Sequence, residues 1–211
     1  MRARLLPALV VLANLAGAGQ GHSQLLFDEK RVRLESHSYF DGEADQERRL
    51  DLPRGGISED AVLLWARGFA GERPAPGTTR SVPLLPSLEL SRLRHFSLDW
   101  GTATLGRADG TKEIEVPAGR FEVDTYTLTV AATEETKSYP LGRAAMSMPM
   151  RRWTIEIESA WPHRIIAWSR DDGLSAKMVG SERIPYWSQN GPGFESALEK
   201  IGLTPRPPRT P

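Results

Sequence analysis

The sequence predicts a mainly β fold of the α+β kind: a curved antiparallel sheet or half-barrel, with one packed helix near residues 58–69 and a short C-terminal helix. Three observations carry this. Apolar and polar residues alternate with period two in several separate segments. Only one segment has its apolar residues at helical spacing. Turn signals divide the segments without the repeating strand–helix order that a parallel sheet requires.

Taken in order, Lys30 to Tyr39 reads as a first strand, with Val32 and Leu34 alternating against Arg31, Arg33 and Glu35. Tyr39 to Gln46 reads as a turn around Asp41-Gly42, and Arg48 to Leu52 as a second strand stopped by Pro53. Ile57 to Phe69 is the helix. Ser58 caps it, Glu59 and Asp60 sit in its first turn, and Ala61, Leu64, Trp65 and Phe69 form the stripe expected to pack on a sheet. Glu72 to Gly77 is a Pro/Gly loop. Pro83 and Pro86 limit any strand between Ser81 and Leu90 to a short or edge one. Phe96, Leu98 and Trp100 alternate as a strand would. Ala108-Asp109-Gly110-Thr111 reads as a hairpin turn leading into a strand from Lys112 to Val116. Phe121 to Ala131 is the longest strand, and its change of apolar parity predicts a bulge near Asp124-Thr125. Trp153, Ile155 and Ile157 alternate with Thr154, Glu156 and Glu158, which places both glutamates on a solvated face. Arg164 to Ser169 is a further strand, turned by Asp171-Asp172-Gly173 into Leu174 to Gly180. Phe194 to Ile201 closes the domain as the short helix.

The first residues have a different character. Arg2 and Arg4 precede an apolar run from Leu5 to Ala16, and the small residues Ala16 to Gly19 follow, the three parts of a secretory signal. The reading is a signal peptide over 1–21 with cleavage near 18–24, one β-rich domain over 25–203, and a Pro/Arg-rich disordered tail over 204–211. The apolar run is shorter than the roughly 20 residues needed to cross a bilayer. The chain contains no cysteine, so it has no residue for lipid attachment and no disulfide framework. The expected address is the periplasm or the exterior, as a soluble protein without a lipid anchor or an integral membrane segment in the mature chain.

Charge narrows the partners. The chain has 27 basic and 27 acidic residues, and loss of Arg2 and Arg4 with the leader leaves a net charge near −2. General nucleic-acid binding needs a basic face and is not expected. Strong attraction to anionic membranes is not expected either.

The catalytic inventory is thin. No serine sits in a glycine-flanked nucleophile elbow, and no glycine-rich phosphate loop is present. His22, His37, His95 and His163 are far apart, and none has a second ligand at metal spacing, so no metal or cofactor is expected. His22 falls in the cleavage region. Asp171-Asp172 is more simply a turn than a catalytic pair. No catalytic residue is assigned.

The unusual feature is aromatic. Trp153, Trp161, Trp168 and Trp187 lie in the C-terminal third, with Tyr186 beside the last. The strand positions of Trp153 and Trp168 predict core. Trp161, in the Ala160-Trp161-Pro162-His163 turn, and Tyr186-Trp187, before a Gly/Pro loop, predict partly exposed rings. Trp161, His163, Tyr186 and Trp187 are therefore the candidate ligand-binding residues.

The run Glu115-Val116-Pro117-Ala118-Gly119-Arg120-Phe121-Glu122-Val123 resembles a motif of an uncharacterised family of Gram-negative periplasmic proteins, in which a V-P-A-G-x-F/Y turn opens a long strand. Trp161-Pro162-His163-Arg164-Ile165-Ile166-Ala167-Trp168, followed by Asp172-Gly173, resembles that family's next hairpin. The resemblance spans residues 30–188, with specific motifs from 113 onward. It implies an antiparallel β protein with a clamshell-like sheet, similar in shape to lipoprotein carriers. It brings no agreed activity and no catalytic set. Proline and glycine give the Pro117-Ala118-Gly119 turn a sufficient architectural explanation.

The expected function is non-enzymatic binding of a lipid-like or other apolar ligand, or of an envelope partner. The alternatives are an envelope polysaccharide binder or glycoside hydrolase, and a structural protein that pairs through a sheet edge.

Overall fold

The structure, a computed structural model, describes residues 21–38, 45–89, 97–139, 142–189, 191 and 193–203, with the side chains of residues 21 and 135–146 left aside. The leader, the Asp41-Gly42 turn, His95, Phe96 and the 204–211 tail lie outside the described residues.

Thirteen strands are described: β1 Gly21–Phe27, β2 Arg31–Ser38, β3 Asp45–Asp51, β4 Ile57–Ser58, β5 Thr79–Leu85, β6 Gly101–Arg107, β7 Lys112–Val116, β8 Gly119–Val130, β9 Thr133–Tyr139, β10 Gly142–Met148, β11 Arg151–Glu158, β12 Ile165–Arg170 and β13 Ser175–Lys177. Among the described residues, α1 covers Val62–Ala66 and α2 covers Ser196–Glu199. Strand accounts for 48% of the structure and helix for 11%, so the fold is mainly β as expected. One sheet has the order β1-β2-β3, and a second is the β9–β10 hairpin. The third, strongly curled, has the order β13-β12-β11-β8-β6-β5-β4, with β7 also pairing β8. The β4–β5 pairing is parallel, whereas β1–β2, β2–β3, β7–β8, β9–β10, β11–β12 and β12–β13 are antiparallel.

Contacts group the chain into two compact units. One comprises residues 1–72, 80–104 and 129–150, the other residues 73–79, 105–128 and 151–211.

The core of the first unit gathers Leu25, Val32, Leu85, Leu88 and Leu98. Strand alternation explains the contribution of β1 and β2. Leu25 and Leu34 are paired across the strands and turn inward with Val32, while the alternate residues turn outward. The helix is shorter than the expected 58–69. Ser58 Oγ accepts from the Asp60 backbone N–H, a 3-10 turn covers Glu59–Ala61, and α1 follows. Gly68 stops it at φ 89° in a Schellman closure, with Gly68 N–H donating to Trp65 O and Phe69 N–H to Leu64 O. Phe69 is thereby carried out of the stripe. It is exposed, with the Arg67 guanidinium 5.0 Å from its ring centre. Trp65 is fully buried and donates its indole N–H to Glu72 O at 3.1 Å. Leu98 is buried and Trp100 half-buried, but residues 97–100 form no strand; Trp100 donates its indole N–H to Asp51 O.

In the second unit β8 continues through Asp124-Thr125, and the parity change falls where its edge pairing is interrupted: Lys112 pairs with Val123 and Ala108 N–H bonds Thr125 O, with residues 109–111 looping out between them. Val123, Asp124 and Tyr126 are all buried. A register shift also lies between β11 and β12, at Glu156/Ile157. Val116, Val123 and Ile166 form this unit's hydrophobic cluster. The Asp109-Gly110 pair does not reverse the chain. Ala108 N–H bonds Thr125 O, and Lys112 pairs with Val123, so the segments on either side run along the same edge of β8. The hairpin comes later, where Pro117-Ala118 link β7 to β8 and Gly119 takes φ 125°.

Candidate functional site

The turn after β11 is built on an ion pair. Arg164 donates to Glu158 through Nε at 2.7 Å and through Nη2 at 2.6 Å, and lies over the Phe121 ring. These charge-assisted bonds hold the Glu158 carboxyl below its usual range. His163 adopts φ 57° and donates Nδ1–H to Glu158 O at 3.1 Å, which fixes its tautomer. Trp161 projects from this turn, 78% exposed, with its ring edge-on to His163 at 6.0 Å.

Tyr186 and Trp187 lie in a 3-10 turn over Tyr186–Ser188, where Ser188 Oγ donates to Pro185 O. Their rings are edge-on at 5.5 Å and are 69% and 70% exposed. Tyr186 lines an open cleft of about 750 Å³ together with Phe194, Leu198 and Ile201, and Glu182 and Glu195 also line it. The backbone N–H groups of Glu195 itself and of Gly193 donate to the Glu195 carboxyl and keep it below the usual range. The back of the cleft is held by a close approach at Gly180. A Cβ there would clash with the Ile201 backbone carbonyl.

The four residues singled out from the sequence thus form two ring pairs, Trp161–His163 and Tyr186–Trp187, with no ring contact between the pairs among the described residues. Trp153 and Trp168, expected in the core, are half-buried, with their rings tilted by 43° at 5.3 Å and Arg170 over Trp153.

The acidic face of β11 departs from expectation. Glu156 is buried, not solvated. It accepts from Thr125 Oγ1 at 2.7 Å and pairs with Lys112 Nζ at 2.9 Å. Glu158 is likewise mostly covered and paired with Arg164. Both are tied to basic partners, and no catalytic geometry follows from them. The alternation of Ile155, Glu156 and Ile157 gives no sign of this in the sequence; in the structure all three are buried, and Thr125 of β8 meets the polar one.

Among the described residues, no group of three or more His, Asp or Glu side chains is placed to hold a metal ion. No described helix is long and apolar enough to cross a membrane. No protein-family model, curated protein or solved structure matches the chain.

Proposed function

We propose that this chain is exported by its N-terminal signal to the periplasm and binds a lipid-like amphiphile in the cleft beside Tyr186. The observation that carries the reading is the set of apolar side chains left in solvent along one C-terminal stretch. Tyr186, Phe194 and Leu198 are 69%, 45% and 40% exposed, and all line the same cleft. Among the described residues two carboxylates and no Lys or Arg line it, which favours a neutral or cationic head group over a fatty-acid anion.

Covering the exposed parts of these side chains contributes about 3–4 kcal/mol, which corresponds to millimolar binding. The ligand's own tail must supply the rest, at about 0.8 kcal/mol per buried methylene. A series of alkyl trimethylammonium and alkyl maltoside ligands below their micelle concentrations tests this by Trp fluorescence. Affinity is expected to rise up to about fourfold per methylene, with the spectral shift abolished in Trp187→Phe. If neither series shifts the emission or the melting temperature, the cleft is not a lipid site.

A further inference from the structure

The outer face of the β1-β2-β3 sheet carries a feature unrelated to the cleft. Register places His22 directly opposite His37, and His37 directly opposite Asp45. Side chains on paired positions share a face, so the three form one row across the sheet. The next row on that face is Gln24, Glu35 and Glu47. The imidazoles of His22 and His37 are stacked, with ring centres 5.8 Å apart and planes 27° apart. His37 Nδ1 is engaged by Asp45 Oδ1 at hydrogen-bond distance.

We propose that His22 and His37 together bind one late divalent transition-metal ion, of the Cu(II), Ni(II) or Zn(II) class, and that the ion bridges β1 to β2. Two imidazoles bound side by side to one ion, with metal–nitrogen bonds of about 2.0–2.1 Å, hold their ring centres about 5 Å apart. The ring centres stand near that separation, and both imidazoles turn from their stacked arrangement to aim a nitrogen lone pair at the shared ion. Asp45 accepts from His37 Nδ1–H, which fixes the tautomer and orients the ring. A carboxylate behind a ligating histidine is the usual support for such a ligand. Glu35, two residues from His37 on the same face, adds negative charge beside the ion; it is held there by Gln24 Nε2 and by Arg33. Imidazole nitrogen suits this group of metals, and water completes the coordination. The site has two protein ligands, so it suits exchangeable binding rather than a buried structural ion.

The test is titration of the full chain, which retains His22, with Cu(II), followed by calorimetry and visible absorption. One ion per chain is expected, with a rise in melting temperature because the bridge binds only the folded sheet. His22→Gln and His37→Gln should each weaken binding by at least about tenfold and abolish the thermal shift, and Asp45→Asn should weaken it by about tenfold. Circular dichroism of each variant checks that the sheet is retained. Loss of binding in His22→Gln with full binding in His37→Gln would indicate ligation by the amino-terminal peptide alone and would overturn the two-imidazole site. So would binding unchanged in both variants, or no binding by the parent protein.

Discussion

Replacing Arg164 by methionine isolates the ion pair that holds the Trp161 turn. Methionine retains an apolar stem against Phe121 and removes both hydrogen bonds to Glu158. The Glu158 side chain is 12% exposed, so the carboxylate is left largely covered without its cation. Hydrogen bonds to charged groups contribute about 1.5–3 kcal/mol, and Arg164 is itself partly solvated, so a loss of about 2 kcal/mol at pH 7 is expected. For a domain of this size that is a fall of about 4–8 °C in melting temperature. The effect must depend on pH. Arg164 lowers the Glu158 pKa in the folded state, so the stability it contributes is complete above the unfolded glutamate value, near 4.3, and is lost as pH falls through the lower folded value. Urea unfolding followed by Trp emission at pH 7 and pH 3.5 measures both quantities. A loss below 0.5 kcal/mol at pH 7, or an equal loss at both pH values, refutes the reasoning.

Two further outcomes follow from other positions. Burial pushes the Asp60 carboxyl above its usual value although Leu88 N–H donates to it at 2.9 Å, so its ionisation costs stability as pH rises through the folded pKa. Asp60→Asn keeps an acceptor and drops the charge; it should be more stable than the parent at pH 7 by up to about 1 kcal/mol, with the gain vanishing at pH 3.5, and a destabilised variant at pH 7 contradicts this account. Gly180→Ala places a methyl group against the Ile201 backbone and should loosen the segment that lines the cleft. Limited proteolysis should then cut within residues 181–203 faster than in the parent, whereas unchanged protection would show that the close approach does not hold the segment.

Much of the β architecture was legible because alternation survives wherever one face is covered and the other wet. β2, β7, β11 and β12 lie within a residue or two of their expected bounds. β1 was missed because it directly follows the leader-like segment and reads as part of it; with it went the pairing of His22 with His37, since a cross-strand neighbour leaves no mark in sequence spacing. β9 and β10 have sequences, TEETKSY and GRAAMSM, without an apolar period. The helix was overextended because the stripe continues to Phe69 while Gly68 has already ended the turn. At the candidate site, exposure of Trp161, Tyr186 and Trp187 followed from their turn positions. The cleft itself was not legible, because it depends on Gly180 meeting Ile201, two residues joined only by tertiary packing.

The excursion at Asp109-Gly110 has a practical consequence. The chain leaves the edge of β8 after Ala108, which bonds Thr125, and rejoins it at Lys112, which pairs with Val123. Extra residues inserted between Asp109 and Gly110 would lengthen a detour without changing what either flank is paired to. That makes this position a natural graft point for an epitope or a fluorophore, with the ring pairs and the histidine row left intact.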